Sequence, residues 1–567
     1  MEGYSSKSGK KLMMICMGNN YTNPMVVYRE YIQNACDALY DAVRKNVVKD
    51  SSDKFISVGI DEANREVRIL DRGTGVRKED IGPILVNIGS SFKDGIDDIG
   101  TYGIGRLVGA NWCDKITFET SYKGESEKSI LTFNSLKARQ LCSSKECTMS
   151  LDEINDAVTS CVYHQEDPNE HYMRVTLHNA NKGLLDIDNV REYLSDVVPV
   201  GYEFEFEDTI LSPAFETYPE FKDLLSKERI CIIDVNTDYP ILKSYSPQIE
   251  FTGNDKRNLT RPSFFKIEDD DYGLLAWGWY SLCERPDQMN EVKFRHIRLR
   301  KHNMVVGDVD YLNNCFKGTA SPNYFVGELF VVHPNITPTG SRDGLNDSTE
   351  KSLLFLHLKD KFKQLYDEYN KLSKLGSQAL KPLCTALVEE QKLKVKLKDA
   401  DEDDAQEIKT NLKETRKAIS DAKDELKIKM DDISKYTNMS ILAEDIVTYW
   451  EKDMRKKVSE VNAKSKPGHK IDGVSLKKIV EEVQKDQNKG KEKENNPSSE
   501  TPSSPSNNAT ANTKENSAPK ETDIYKVLGK DGWKLMKLVY SVLDSNKNID
   551  PKSLGKIKKA LEKKILR

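Results

Sequence analysis

Apolar and polar positions change their period several times along the chain, and each change marks an element. Over residues 25–43, Met25, Tyr28, Ile32, Cys36, Leu39 and Val43 recur every three or four positions, the stripe of an amphipathic helix. Asn23 and Pro24 precede it as an N-cap side chain and a first-turn proline. Two alternating runs follow, 54–60 and 66–70, and predict strands. Helix and strand patterns continue to alternate as far as Phe206. From Glu207 to Asn346 strands and loops dominate, with Trp277, Trp279 and Tyr280 as core material. A helix is predicted over 350–374, where Leu353, Leu354, Leu356, Phe362 and Leu365 lie on or near one stripe.

Beyond Pro382 the pattern is charged and helical. Ala405, Ile408, Leu412, Ile419, Ala422, Leu426 and Ile433 recur at spacings of three, four and seven, a heptad-like seam. The acidic run 401–404 reads as a turn joining two helices, and both an intramolecular hairpin and an intermolecular coiled coil fit the seam. Between Gln484 and Thr522 there is no Val, Ile, Leu, Met or aromatic residue. Such a stretch buries too little apolar area to offset its ordering entropy, and it predicts a disordered tether. A small helical module follows, with Trp533, Leu535, Leu538, Val539 and Leu543 at helical spacing.

Composition narrows the class. A chain of 567 residues exceeds the ~250 at which single cores stop growing, so several domains are expected. Hydrophobic residues make up 37% and charged residues 31%, and no apolar run approaches the ~18 residues of a membrane helix. No small-residue cleavage site follows the short run 12–17, so a cytoplasmic protein is expected. The ten cysteines are scattered along a large chain, which favours reduced thiols. Cys142, Cys147, Cys161 and His164 could supply four zinc ligands, but their spacing fits no zinc pattern closely. The net charge of -5 is unevenly spread: residues 521–567 hold 12 Lys and Arg against 6 Asp and Glu. That basic end could touch nucleic acid or another acidic partner.

Three motifs carry chemistry. On the first helix Glu30, Asn34 and Asp37 are spaced four and three apart and share a face. An Asn between two carboxylates is a poor choice for a solvated helix and suits a divalent cation and a water near a phosphate. Next, Asp71-Arg72-Gly73-Thr74-Gly75 places a carboxylate at a strand end, where two glycines let the backbone turn closely round a flat ligand. Finally Gly100-Thr101-Tyr102-Gly103-Ile104-Gly105-Arg106 precedes a helix-compatible run, so its backbone N–H groups can point at phosphate oxygens. The spacing is neither the dinucleotide fingerprint nor a P-loop.

In this order the three motifs resemble the GHKL superfamily with its Bergerat fold, which includes the ninety-kilodalton heat-shock chaperones, gyrase, MutL, MORC ATPases and histidine kinases. The resemblance implies an α/β sandwich that binds ATP and Mg²⁺. By it, Glu30 is the general base that orients the attacking water and Asn34 the Mg²⁺ ligand, with Asp37 beside it. Asp71 resembles the adenine-amine acceptor, and Gly73 and Gly75 shape its pocket. Gly100, Gly103 and Gly105, with Arg106, resemble the hinge and phosphate loop of a lid. Lys93 falls where the chaperones carry a lysine near the lid, and Thr176 is similar to the late threonine that supports the adenine aspartate.

A second stretch distinguishes the branches. The runs 324–330 and 338–343 resemble the heat-shock chaperone middle domain, where a similar loop delivers an arginine to the γ-phosphate; here it is Arg342. Asn346 stands where the chaperones usually carry glutamine. Arg298-Leu299-Arg300-Lys301-His302-Asn303 reads as a basic strand edge that could face ligand or client, and a solvated strand is expected. The implied organisation is an ATPase domain over 1–206, an α+β middle domain over 207–374, charged helices or coiled coil over 375–463, a linker over 464–522 and a basic module over 523–567. The implied function is an ATP-hydrolysing clamp that pairs as a nucleotide-dependent homodimer and acts on a protein client. The alternatives are a nucleic-acid-associated ATPase of the MORC or MutL kind and a nucleotide-sensing scaffold.

Overall fold

The computed structural model describes residues 8–19, 21–48, 55–88, 105–227, 230–234, 236–237, 239–252, 255–290, 293–464 and 474–494. Lys93, Gly100 and Gly103, most of the expected linker and the whole basic module lie outside the described residues.

Eight strands that precede residue 242 form one sheet. Its strands are β1 (Phe55–Asp61), β2 (Glu66–Asp71), β3 (Lys115–Ser121), β4 (Glu127–Phe133), β5 (Thr159–Gln165), β6 (Tyr172–His178), β7 (Cys231–Asp234) and β8 (Tyr239–Ile241). They lie in the order β5-β4-β3-β6-β2-β1-β7-β8. All neighbours are antiparallel except β1 and β7, which are parallel. Ile56, Val58, Val67, Ile69, Ile116, Phe118, Val175 and Leu177 share one buried face. Helix α1 (Val26–Arg44) covers this face with Val27, Tyr28, Tyr31, Ile32, Ala35, Cys36 and Leu39. Burying each such large side chain contributes on the order of 1.5–3 kcal/mol. The other face is polar, with Glu119 paired to Lys128 and Arg174 at 3.0 Å each.

A boundary at 206 cuts this sheet. Cys231–Asp234 fills the open edge of β1, from Phe55 opposite Cys231 to Val58 opposite Asp234, so the first layer ends only at Ile241. Between β6 and β7 the chain forms helix α2 (Ile187–Val197) and further short helices.

A pair of short strands, β9 (Gln248–Phe251) and β10 (Asp255–Asn258), leads to a second sheet. It consists of β11 (Ser263–Asp269), β12 (Gly273–Ser281), β13 (His296–Lys301), β14 (Met304–Val305) and β15 (Val326–Val331), in the order β11-β12-β15-β13-β14. Trp277 and Trp279 sit on one side in an aromatic core with Phe206, Phe221, Phe264 and Phe330. Helix α3 (Thr349–Lys374) closes the other side with Leu354, Leu358, Phe362, Leu365 and Leu372.

No break occurs at 374. Helix α3 continues through a π-helical turn, Leu375–Leu380, into α4 (Lys381–Asp399). Helix α5 (Glu402–Ser434) folds back on α4, and α6 (Thr437–Lys464) and α7 (Leu476–Glu494) complete the bundle. The heptad-like seam is therefore a hairpin within the chain: Leu412, Ala422, Leu426 and Ile433 are buried, and Arg416 Nε lies 3.1 Å from Glu390 Oε1.

Strand β13 differs most from its expected role. All six of its residues are buried, including Arg298, Arg300 and Lys301, so it is not a solvated edge. It lies inside the sheet between β14 and β15. Arg300 Nε lies 2.5 Å from Glu328 Oε1, and Lys243 Nζ lies 2.9 Å from Glu328 Oε2. Tyr202 and Tyr245 donate their hydroxyls to the same carboxylate. Arg300 also donates to Asp196 O of α2 at 2.9 Å, and Lys301 Nζ donates to His333 O at 2.8 Å. Burial alone would raise the Glu328 pKa, but Arg300 and then Lys243 hold it well below the usual carboxylate range.

Candidate functional site

The site starts on α1. Asn23 caps its approach, with Oδ1 accepting from Met25 N–H at 3.0 Å, and the helix proper begins at Val26. The helical spacing then brings Glu30, Asn34 and Asp37 onto the face beside the apolar stripe. Glu30 is 8% exposed, Asp37 is 4% exposed, and Asn34 is half-buried. Arg29, itself buried, donates from Nε and Nη2 to Glu30 Oε1 at 3.2 and 2.8 Å. Burial opposes the Arg29 charge, yet the adjacent Glu30 carboxylate outweighs it and lifts the arginine pKa above its ordinary value.

Two glycines bring backbone against this helix face. At Gly105 a Cβ would stand 2.8 Å from Glu30 Oε2, so any larger residue there must displace the carboxylate end of Glu30. At Gly73 a Cβ would stand 2.6 Å from Ala38 Cβ, which packs the Asp71 loop against the helix one residue beyond Asp37.

Asp71 ends β2 in the buried layer. It is 4% exposed, and Gly73 N–H donates to its Oδ1 at 2.9 Å. Burial raises its pKa to about 7 against the opposing Gly73 hydrogen bond. Gly75 takes φ +69°, and a Cβ there would come 1.9 Å from Ser121 O. Thr120 braces the loop: its hydroxyl accepts from Val76 N–H and donates to Tyr172 O, both at 2.9 Å. His171 Nδ1 lies 2.8 Å from Gly73 O.

Thr176 does not stand beside Asp71. Its cross-strand partners are Arg68 and Thr117, while Asp71 faces Met173. Because successive strand residues alternate faces, Thr176 lies on the sheet face opposite the aspartate.

The Arg106 side chain is held by backbone carbonyls of residues 85–87. Its guanidinium donates to Leu85 O at 3.1 Å and to the carbonyls of Val86 and Asn87, and Tyr31 OH donates to Arg106 O at 2.9 Å. It ties residue 106 to residues 85–87, on the other side of the segment 89–104. Burial lowers its pKa to about 10, which leaves it charged at neutral pH.

Arg342 reaches α1 from the second region. It is 4% exposed, and its Nε donates to Gln33 Oε1 at 3.0 Å. Burial and then the charge of Arg29 lower its pKa to about 10. Asn346 supports the same loop by donating to Thr337 Oγ1 at 3.0 Å and Pro338 O at 2.9 Å. Glu30, Gly105, Arg29, Gln33 and Arg342 are thus assembled around one helix face. No distinct sequence signal marks Arg29, Gln33, Thr120 or His171.

The cysteines Cys142, Cys147 and Cys161 are free thiols. Among the described residues no group of three or more His, Cys, Asp or Glu is arranged to hold a metal ion. Among them, too, no helix is long and apolar enough to cross a membrane.

Residues 21–162 match the family described as histidine kinase-, DNA gyrase B-, and HSP90-like ATPase. The chain is 32% identical over 133 residues to the chaperone protein HtpG of Bacillus licheniformis, a match covering 21% of each protein. It is 30% identical over 184 residues to the HtpG of Fusobacterium nucleatum, covering 29% of this chain and 28% of that one. With the HtpG of Clostridium perfringens it shares 33% identity over 141 residues, 21% of this chain and 22% of the relative. The matches thus span about a fifth to under a third of these relatives. The matched stretch contains α1, the Asp71 loop and the Gly-rich motif, the segments that build the site. Residues 21–162 are thus similar to a GHKL-type ATPase domain.

Proposed function

We propose that the protein is a Mg-ATP-hydrolysing conformational clamp of the heat-shock chaperone-like kind, acting on protein clients. One observation carries the reading: Gly105, Arg29 and, through Gln33, Arg342 converge on the helix face that presents Glu30. In this reading the adenine amine donates to Asp71, and Gly73 and Gly75 let the backbone close round the base. Gly100, Gly103 and Gly105 would face the phosphates with backbone N–H groups, and Lys93 belongs to the proposed lid segment 89–106. Glu30 orients the attacking water and accepts its proton. Arg342 offsets the charge that builds on the γ-phosphate, a contribution worth ~10³-fold or more in other nucleotide hydrolases.

The donor chemistry fits magnesium. Asn34 presents an amide oxygen one helical turn after Glu30, and Asp37 adds a buried carboxylate nearby, the oxygen donors a hard cation prefers. When bound with ATP, the ion supplies neutralisation of the phosphate charge.

Two copies paired through the ATPase domain complete the clamp, and closure rather than chemistry limits a slow turnover. The client assignment draws on the likeness to proteins named as chaperones. Steady-state ATP turnover measured with an unfolded polypeptide and, separately, with duplex DNA tests it. Turnover altered by the polypeptide alone supports a protein client. A change with DNA alone transfers the clamp to nucleic acid, and no change with either removes the client from the account.

A further inference from the structure

We infer that Gln33 is a positioning residue that aims the Arg342 guanidinium at the nucleotide. The inference rests on the reading of Arg342 as the phosphate arginine and goes beyond it to a residue that acts through that arginine.

Gln33 lies three residues after Glu30 and one before Asn34. A glutamine 8% exposed needs a partner, and its Oε1 accepts from Arg342 Nε at 3.0 Å. The guanidinium is planar, so fixing Nε sets the direction in which the two terminal nitrogens fork. The acceptor is also uncharged. A carboxylate at this place would orient the arginine but cancel much of the charge a phosphate requires. An amide oxygen orients it and leaves that charge in place.

The backbone of Arg342 is held independently, from the second region. Arg342 takes φ +55°, a left-handed conformation that is unfavourable for a non-glycine residue and persists only where the surroundings impose it. Gly307 N–H donates to Arg342 O at 2.8 Å, and Arg342 N–H donates to Thr339 O at 3.0 Å. Pro338 pairs with Leu345, whose N–H donates to the Tyr311 hydroxyl at 3.1 Å. Gly307 itself has φ +75°, and a Cβ there would strike the Tyr311 ring at 2.4 Å. The loop therefore presents the arginine from one region, and Gln33 receives its side chain on the other. Arg300, paired with Glu328, also joins the second region to α2 by donating to Asp196 O.

The test measures kcat and the ATP dissociation constant for wild type, Gln33→Met, Gln33→Asn, Gln33→Glu, Arg342→Ala and the double variant Gln33→Met/Arg342→Ala. Methionine keeps the volume without the acceptor, and asparagine is one methylene too short to reach Nε. Either is expected to lower kcat about tenfold, as misplacement of a catalytic group does, with ATP affinity within twofold of wild type. Gln33→Glu restores an acceptor and is expected to exceed the methionine variant in kcat. In the Arg342→Ala background, Gln33→Met is expected to cost nothing further. Wild-type kcat in both Gln33→Met and Gln33→Asn overturns the inference, and so does an equal fractional loss with and without Arg342. An Arg342→Ala protein with wild-type kcat overturns the underlying reading of the arginine as well, and the single Gln33 variants separate the two failures. Should Gln33→Met not fold, Gln33→Asn carries the same comparison.

Discussion

Gly105 lies against Glu30 so closely that a single added methyl carbon would stand 2.8 Å from the carboxylate oxygen Oε2. Gly105→Ala must therefore move a side chain that Arg29 holds on its other oxygen at 2.8 Å. The expected result is a turnover at least tenfold lower, with melting temperature within a few degrees of wild type, since the displaced atom is the end of a side chain. Single-turnover kinetics and a thermal melt check both parts.

Asp71 gives a pH signature. Burial raises its pKa from the ordinary 3.8 to about 7, so between these values the folded protein keeps a proton that the unfolded chain has lost. Stability therefore declines as pH rises across that window, and the penalty is complete above about pH 7. Asp71→Asn removes it. The variant is expected to gain on wild type by on the order of 3 kcal/mol between pH 4 and pH 8. Denaturant unfolding at a series of pH values measures the difference. Over pH 6 to 8 the wild type is also expected to bind ATP more tightly as the carboxylate ionises, a gain the variant lacks.

The buried Glu328 cluster predicts a stability effect without a chemical one. Lys243 and Arg300 are 1% and 0% exposed, and both depend on one carboxylate. Glu328→Gln leaves two buried cations without their counter-charge, which costs about 3–5 kcal/mol. Because folding lowers this carboxylate's pKa, its contribution is present above the unfolded value and is lost as pH falls through the folded one. The expected outcome is a melting temperature lower by several degrees at pH 7, with the wild-type advantage shrinking below about pH 4. Calorimetry at the two pH values distinguishes this from a pH-independent packing defect.

The parts of the site built on local spacing were legible in the sequence. Glu30, Asn34 and Asp37 share a helix face because of the 3.6-residue period, and Asp71 ends a strand before two glycines; both features need only neighbours in the chain. Pairing across the sheet was not legible. Register decides which face Thr176 occupies, and a shift of an odd number of positions reverses it. The hydroxyl that braces the Asp71 loop comes instead from Thr120, on a strand 49 residues beyond the aspartate. Arg298, Arg300 and Lys301 read as a solvated strand because their acidic and carbonyl partners, Asp196, Glu328 and His333, lie elsewhere in the chain. The return of β7 and β8 to the first sheet was hidden for the same reason. The helical hairpin of α4 and α5 was legible as one of two alternatives, and only its packing decided between them.

The claim that this site hydrolyses ATP through Glu30 is tested most directly by steady-state Mg-ATP turnover of wild type and Glu30→Gln, with ATP affinity measured on the same samples. The account predicts Mg²⁺-dependent turnover in wild type that falls at least ~10²-fold in the variant while binding is retained. Equal turnover in the two proteins, or tight ATP binding without any turnover in wild type, would contradict it.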